Sequence, residues 1–273
     1  MGLMMIRSKH CPIAVEQSSG SGLAVLFVHG NSFSKEIFHK QFNSELASTF
    51  SCIALDLPGH GKSGNAKFPK KSYTLPGYAD CLLETLEELD ITSFAVVGWS
   101  LGGHIALEMM AKSSRVKAVC LVGTPAYDKS LDDLALAFEG NPLAEIMGQR
   151  HLDNEQLGKL VELTLGKNSD TDAYEKHVES AARTDGMARE TVFATALDDD
   201  CVNQKVLVET SNRPLAIING ELDIIISLEH LHSCNYANLW ENKIHLIPDQ
   251  GHAPFWGAPE QFNNILTRFL SEL

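Results

Sequence analysis

The sequence predicts an α/β fold: a mostly parallel sheet flanked by helices, with a helical insertion over one end. Two features carry this. Short apolar runs alternate with helical patterns over most of the chain, and strand alternating with helix builds a parallel sheet covered on both faces. From about residue 125 to residue 205 the alternation stops, leaving only helical pieces separated by polar breaks. The expected division is a core of residues 1–124 and 206–273 and a helical cap of residues 125–205. A chain of 273 residues suffices for one large domain carrying such an insertion.

The elements follow in order. AVLFVH (24–29) is a continuous apolar run, the pattern of a buried strand. EIFHKQFNSELAS (36–48) has helical spacing, and SCIALDL (51–57) is a second strand. GYADCLLETLEEL (77–89) is an amphipathic helix with an acidic outer face. FAVVGW (94–99) is a strand, LGGHIALEMMAK (101–112) a helix and VKAVCLVG (116–123) a strand. The gap holds helical pieces such as LDDLALAFE and EQLGKLVELTL. PLAIING (214–220) and KIHLIPD (243–249) are strands again, and PEQFNNILTRFLSEL (259–273) is a closing helix begun by proline.

Composition narrows the partners. The formal net charge is -13, which disfavours nucleic acid and anionic membranes, since both reward Lys and Arg. No stretch approaches the roughly 18 apolar residues of a membrane span. The N-terminal MGLMMIRSKH has its basic residues after a short apolar run, the reverse of a signal peptide. Cys11, Cys52, Cys81, Cys120, Cys201 and Cys234 form no C-x-x-C pair and several lie in apolar runs. They read as buried, reduced thiols of a cytoplasmic protein. Oligomeric state is not legible.

DLPGHGKSGN (56–65) imitates two phosphate loops. Its glycines satisfy G-x-G-x-x-G, but NAKFPKKSY follows instead of an apolar-periodic helix, so the glycines open a loop. A Walker A loop needs Gly five residues before Gly61, and Asp56 stands there. Lys62 reads as surface, and no nucleotide cofactor is expected.

The strongest chemical signal is Gly98-Trp99-Ser100-Leu101-Gly102. A buried strand precedes this G-x-S-x-G and a helix follows at once, the two flanks of a nucleophile elbow. A serine hydroxyl needs a base. Of eleven histidines, His252 stands out, on the loop DQGHAPF between the last strand and the last helix. The base needs an acid, and Asp223, in NGELD just beyond a strand, is the first choice; Glu221 is its rival, while Asp249 is in the wrong chain order. The backbone N–H groups of Leu101 and Asn31 are the expected oxyanion hole. Ser32, Phe33 and Trp99, beside these positions, are the expected substrate contacts. His29 reads as structural, packing behind the active site, and His60 and His104 as structural or as supports of the residues that touch substrate. His230-Leu231-His232 resembles a metal pair, but i and i+2 on a helix face apart, so no metal site is expected.

Together, His29-Gly30-Asn31, DLPGHGKS, GWSLGG, GELD and GHAPF resemble the α/β-hydrolase superfamily. Within it the chain looks most like the α/β-hydrolase-type N-acyl-homoserine lactonases, through HGNS, SYTLPGYAD, GWSLGGHIALEM, GTP, AARTDG, NLWENK and GHAPF. Inside the cap only AARTDG (181–186) carries the likeness. The resemblance implies an α/β-hydrolase fold, a Ser-His-Asp triad, no cofactor and a small acyl ester or lactone as substrate. Leu134, Leu136, Phe138, Leu143, Ile146 and Met147 are candidates to line an acyl tunnel. Two other readings stay open: a carboxylesterase or C–C hydrolase with the same triad, and a ligand receptor on this scaffold.

Overall fold

The computed structural model describes residues 2–166 and 171–273; Met1 and residues 167–170 of the expected cap lie outside them. Eight strands form one sheet: β1 (Gly2–Arg7), β2 (Pro12–Gln17), β3 (Ala24–Val28), β4 (Ser51–Leu55), β5 (Phe94–Trp99), β6 (Val116–Val122), β7 (Leu215–Gly220) and β8 (His245–Ile247). Their order is β1-β2-β4-β3-β5-β6-β7-β8. From β4 to β8 every neighbouring pair is parallel. β5 is buried at every residue, as a strand covered on both faces must be.

The flanking helices include α1 (Leu75–Glu88), α2 (Leu101–Lys112) and the closing helix (Pro259–Ser271). Thr74 caps α1, its hydroxyl accepting from the Gly77 N–H at 3.0 Å. Between β6 and β7 the described residues form helices and no strand: Leu131–Ala137, Ala144–Met147, α3 (Asn154–Leu165), α4 (Thr171–Arg183), α5 (Gly186–Ala194) and α6 (Gln204–Thr210). Asp153 and Gln156 close a capping box at the start of α3. Among the described residues no helix is long and apolar enough to cross a membrane. All six cysteines are buried and unpaired.

Three elements differ from expectation. β1 and β2 form an antiparallel hairpin, and β2 joins β4 antiparallel; neither strand was read from the sequence. β1 is an edge strand with four of its six residues exposed, so it lacks the continuous apolar run that marks the inner strands. The expected helix 36–48 is broken into Lys35–Phe38, His39–Phe42 and Leu46–Thr49. Asn43-Ser44 interrupts it, the Ser44 hydroxyl bonding the Gln41 carbonyl at 2.8 Å, a local bond that competes with helix continuation. The expected strand 243–249 is reduced to the three residues of β8.

The loop 56–65 is held from below by Asp56. Its buried carboxylate accepts from the Lys35 N–H at 2.7 Å, the Lys62 N–H at 2.8 Å and the Lys35 ammonium at 3.3 Å. The Lys35 and Asp56 side chains are 1% and 0% exposed, whereas Lys62 is exposed, as expected. The helical insertion docks on this same loop. The Asp185 N–H bonds the Gly59 carbonyl at 2.8 Å, Tyr73 donates to the Asp185 carboxylate at 2.7 Å, and Arg183 donates to the Ser63 carbonyl at 2.7 Å. AARTDG, the stretch of the insertion that carried the family likeness, is therefore a docking segment.

Breaking a buried ion pair by removing one partner leaves an uncompensated charge and costs about 3–5 kcal/mol. Lys35→Met is expected to lower the stability measured by urea unfolding by about 3 kcal/mol; an unchanged midpoint would show that the backbone donors alone satisfy Asp56.

Candidate active site

Ser100 sits between β5 and α2 with φ 54° and ψ −121°, a strained conformation for a residue with a side chain. The surroundings leave room only for glycine at the start of α2: a Cβ on Gly102 would lie 2.1 Å from the Val28 carbonyl oxygen of β3. Ser100 is pinned through its backbone. Its N–H bonds the Val122 carbonyl at 2.8 Å, and its carbonyl accepts from the Thr124 hydroxyl at 3.0 Å. Because Ser100 precedes the first turn of α2, it faces N–H groups with no intrahelical partner and the positive end of the helix dipole. The Leu101 N–H is one of these.

His252 and Asp223 meet behind it. His252 Nδ1 lies 2.9 Å from Asp223 Oδ2, and both residues are buried. Burial pushes the Asp223 carboxyl up. The facing His252 ring, the Ile225 N–H at 2.9 Å and the Asn219 amide at 3.2 Å outweigh it, and the carboxyl ends below its ordinary value. A carboxylate so held fixes Nδ1 as the protonated nitrogen of His252 and leaves Nε2 free to act as a base. Glu221 is exposed and Asp249 is exposed; neither has a bond to His252 among the described residues.

Several supports of this pair carried no sequence signal. Asn219 bridges two strand ends, donating to Asp223 and accepting from the Gly123 N–H at 2.7 Å. Gly123, at φ 58°, passes so close beneath His252 that a Cβ would stand 2.6 Å from the ring. The indole N–H of Trp99 donates to the His252 carbonyl at 2.8 Å, holding the loop of the base against the elbow.

The turn after β3 approaches Ser100 from the other side. A cavity of about 20 Å³ is lined by Gly30, Asn31, Phe33, Trp99, Ser100 and His252 together with Leu143, Met147 and Ile225. Asn31 donates its side-chain amide to the Met147 carbonyl at 3.1 Å, and its Oδ1 is buried without a partner. Phe33 packs edge-on against Trp99, ring centroids 4.9 Å apart. Ser32 departs from expectation. It borders neither cavity at Ser100; its hydroxyl, fully buried, accepts from Arg189 of the insertion at 3.3 Å. Arg189 also donates to the carbonyls of Gln149 and Ala181, so Ser32 belongs to the joint between insertion and core.

A second cavity of about 390 Å³ opens on the opposite side of Ser100. Its walls are mostly apolar, with Leu75, Leu131, Leu134, Phe138, Val192 and Phe193. Of the six proposed tunnel residues, Leu134, Phe138 and Met147 line it, Leu143 and Met147 line the smaller one, and Leu136 and Ile146 line neither. His29 is structural: Nδ1 bonds the Gly30 carbonyl at 2.8 Å and Nε2 accepts from the Leu57 N–H at 3.0 Å; burial lowers its pKa to about 4, against the Gly30 bond, which favours the charged ring. His230 bonds Asp133 at 3.2 Å while His232 is exposed. Among the described residues no three His, Cys, Asp or Glu side chains cluster to hold a metal.

A serine at a strained strand–helix turn, a buried carboxylate–imidazole pair and an adjoining apolar cavity gather at the carboxyl ends of the parallel strands. The alpha/beta hydrolase fold family matches residues 24–259, and the chain belongs to that family. Among solved structures it is similar to the N-acyl homoserine lactonase AidH in complex with N-butanoyl homoserine: 34% identity, TM-score 0.94, 99% of this chain and 96% of AidH. A bromoperoxidase from Bacillus anthracis shares the fold at 20% identity, TM-score 0.82, over 99% and 100% of the two chains. Among curated proteins, the pimeloyl-[acyl-carrier protein] methyl ester esterase of Nitrosospira multiformis is 24% identical over 270 residues, 93% of this chain and 96% of the esterase.

Asp223→Asn preserves shape but removes the acceptor that fixes the His252 tautomer. It is expected to lower kcat by about ten-thousandfold, the loss seen for this substitution in other triads. A depressed carboxyl pKa gives stability that is full above the ordinary value near about 4 and lost as pH falls through the folded value. The stability gap between wild type and Asp223→Asn, followed by urea unfolding, is therefore expected to narrow below that pH.

Proposed function

We propose that this protein is a serine hydrolase that opens the lactone ring of N-acyl-homoserine lactones. The observation that carries the hydrolase half is the buried His252–Asp223 pair, whose His252 lines the same cavity as the elbow serine. The lactone half is supported by the likeness to AidH, which extends over 99% of the chain and so includes the insertion as well as the core.

In this reading Ser100 attacks the lactone carbonyl as His252 takes its proton, and Asp223 stabilises the imidazolium. The N–H groups of Asn31 and Leu101 hold the oxyanion. His252 then protonates the leaving alkoxide, which stays tethered as the homoserine hydroxyl. A water activated by His252 releases the acid. The cavity of about 20 Å³ against Ser100 and His252 has the volume of about one water, as the second step requires. No cofactor enters these steps.

The cap formed by the helical insertion shapes the rest. The cavity of about 390 Å³ lies in the range that takes a small acyl substrate, with its apolar walls along the acyl chain. The unpartnered Oδ1 of Asn31, which lines both cavities, accepts the amide N–H, removing the cost of a buried, unsatisfied acceptor. Buried thiols suit a cytoplasmic setting.

The second reading is a carboxylesterase for other small esters, favoured by the curated esterase relative. A receptor has no use for the His252–Asp223 pair. A panel of N-acyl-homoserine lactones and simple aryl and alkyl esters separates these. Lactones are expected to give kcat/KM at least tenfold above the esters. Turnover of esters with none of lactones would leave the esterase; turnover of neither would leave the receptor.

A further inference from the structure

One polar group in the apolar cavity is not used by the proposed mechanism. His104 follows Ser100 by one turn of α2 and lines the cavity of about 390 Å³. Its ring lies 5.1 Å from that of Tyr127 and 6.1 Å from that of Phe138. Its Nδ1 is 2.8 Å from Oε1 of the buried Gln204, the first residue of α6. An amide oxygen only accepts, so Nδ1 carries the hydrogen and Nε2 carries a lone pair. Burial lowers the His104 pKa to about 4, which keeps the ring neutral at ordinary pH.

The Nε2 of His104 has no hydrogen-bond partner among the described residues. His60, His230 and His245 each bury a ring nitrogen without a partner, shut off from solvent. The free nitrogen of His104 is not one of these; it borders the cavity. Asn141, another polar residue of the lining, is committed: it accepts from the Leu143 N–H at 2.8 Å and donates to the Met147 sulfur at 3.3 Å. An accessible acceptor therefore stands in a mostly apolar wall, close to Ser100.

We propose that His104 reads the third carbon of the acyl chain, its Nε2 accepting a hydrogen bond from a hydroxyl at that position. The inference rests on the lactonase reading above. Residues one turn apart on a helix have Cβ atoms about 5–6 Å apart. The third acyl carbon is five bonds from the attacked lactone carbon, about 6 Å when extended. The amide N–H, two bonds away, belongs to Asn31, and carbons beyond the third meet Leu134, Phe138, Val192 and Phe193. A 3-hydroxyl donates to Nε2. A 3-oxo group has no proton to give and sets two lone pairs against each other, and an unsubstituted chain leaves the acceptor unpaired.

The test is kcat/KM for three N-acyl-homoserine lactones of equal chain length, with hydroxyl, oxo or methylene at the third carbon. Each variant is read by the ratio between substrates, which a general loss of activity does not move. Wild type is expected to favour the 3-hydroxy substrate about tenfold over either competitor, the size of one hydrogen bond. His104→Phe keeps a ring and removes the acceptor, and its three values are expected to converge. Gln204→Glu places a carboxylate on Nδ1 and favours the protonated ring, so Nε2 donates and the 3-oxo substrate gains on the 3-hydroxy one. Equal values in wild type, or a hydroxyl preference that survives in His104→Phe, would overturn the role of His104 and leave the lactonase reading intact. No turnover of any of the three lactones would remove both.

Discussion

The strained backbone at Ser100 is the constraint around which this molecule is built. A non-glycine residue at φ 54° and ψ −121° carries a cost of order 1–3 kcal/mol that its neighbours must offset. They do so from three strands at once. β3 supplies the Val28 carbonyl against which Gly102 packs, β5 delivers the serine, and β6 anchors its N–H and its carbonyl through Val122 and Thr124. Parallel strands end at one edge of the sheet, so the carboxyl ends of β3, β5, β6 and β7 bring the turn of Asn31, Ser100, Gly123 and Asp223 to one place. Ligand sites of open α/β sheets gather at this edge for the same reason.

The insertion is coupled to that edge by hydrogen bonds. Asn31 reaches the Met147 carbonyl, Arg189 reaches the Ser32 hydroxyl, and Asp185 and Arg183 hold the loop 56–65. The loop is in turn fixed on the buried Asp56. The sequence that imitates a phosphate loop is thus the seat on which the helical insertion rests. Its glycines serve a tight turn over a carboxylate, which would repel a phosphate.

The inner strands were legible because burial on both faces demands uninterrupted apolar runs, as in FAVVGW and the AVCLV of β6. The hairpin β1–β2 was not, because an edge strand with a wet face has no such run. Ser100, Asp223 and His252 could be singled out as candidates because each lies where a strand ends and chain order restricts the choice. Asn219, Gly123 and Arg189 were not, since each acts through a contact made across the fold: Gly123 meets a ring 129 positions later, and Arg189 meets a serine 157 positions earlier. His104 was read as structural or supporting for a related reason. Its free nitrogen has meaning only beside a cavity, and that cavity exists only once the insertion has docked.

The most direct measurement is mass-spectrometric mapping of the folded protein after reaction with a fluorophosphonate, which traps a serine activated by its base. The expected result is one phosphonyl group per chain, on the peptide that contains Ser100, and none in Ser100→Ala. A wild-type protein that takes no label, or takes it on another serine, would contradict Ser100 as the nucleophile and with it the function proposed here.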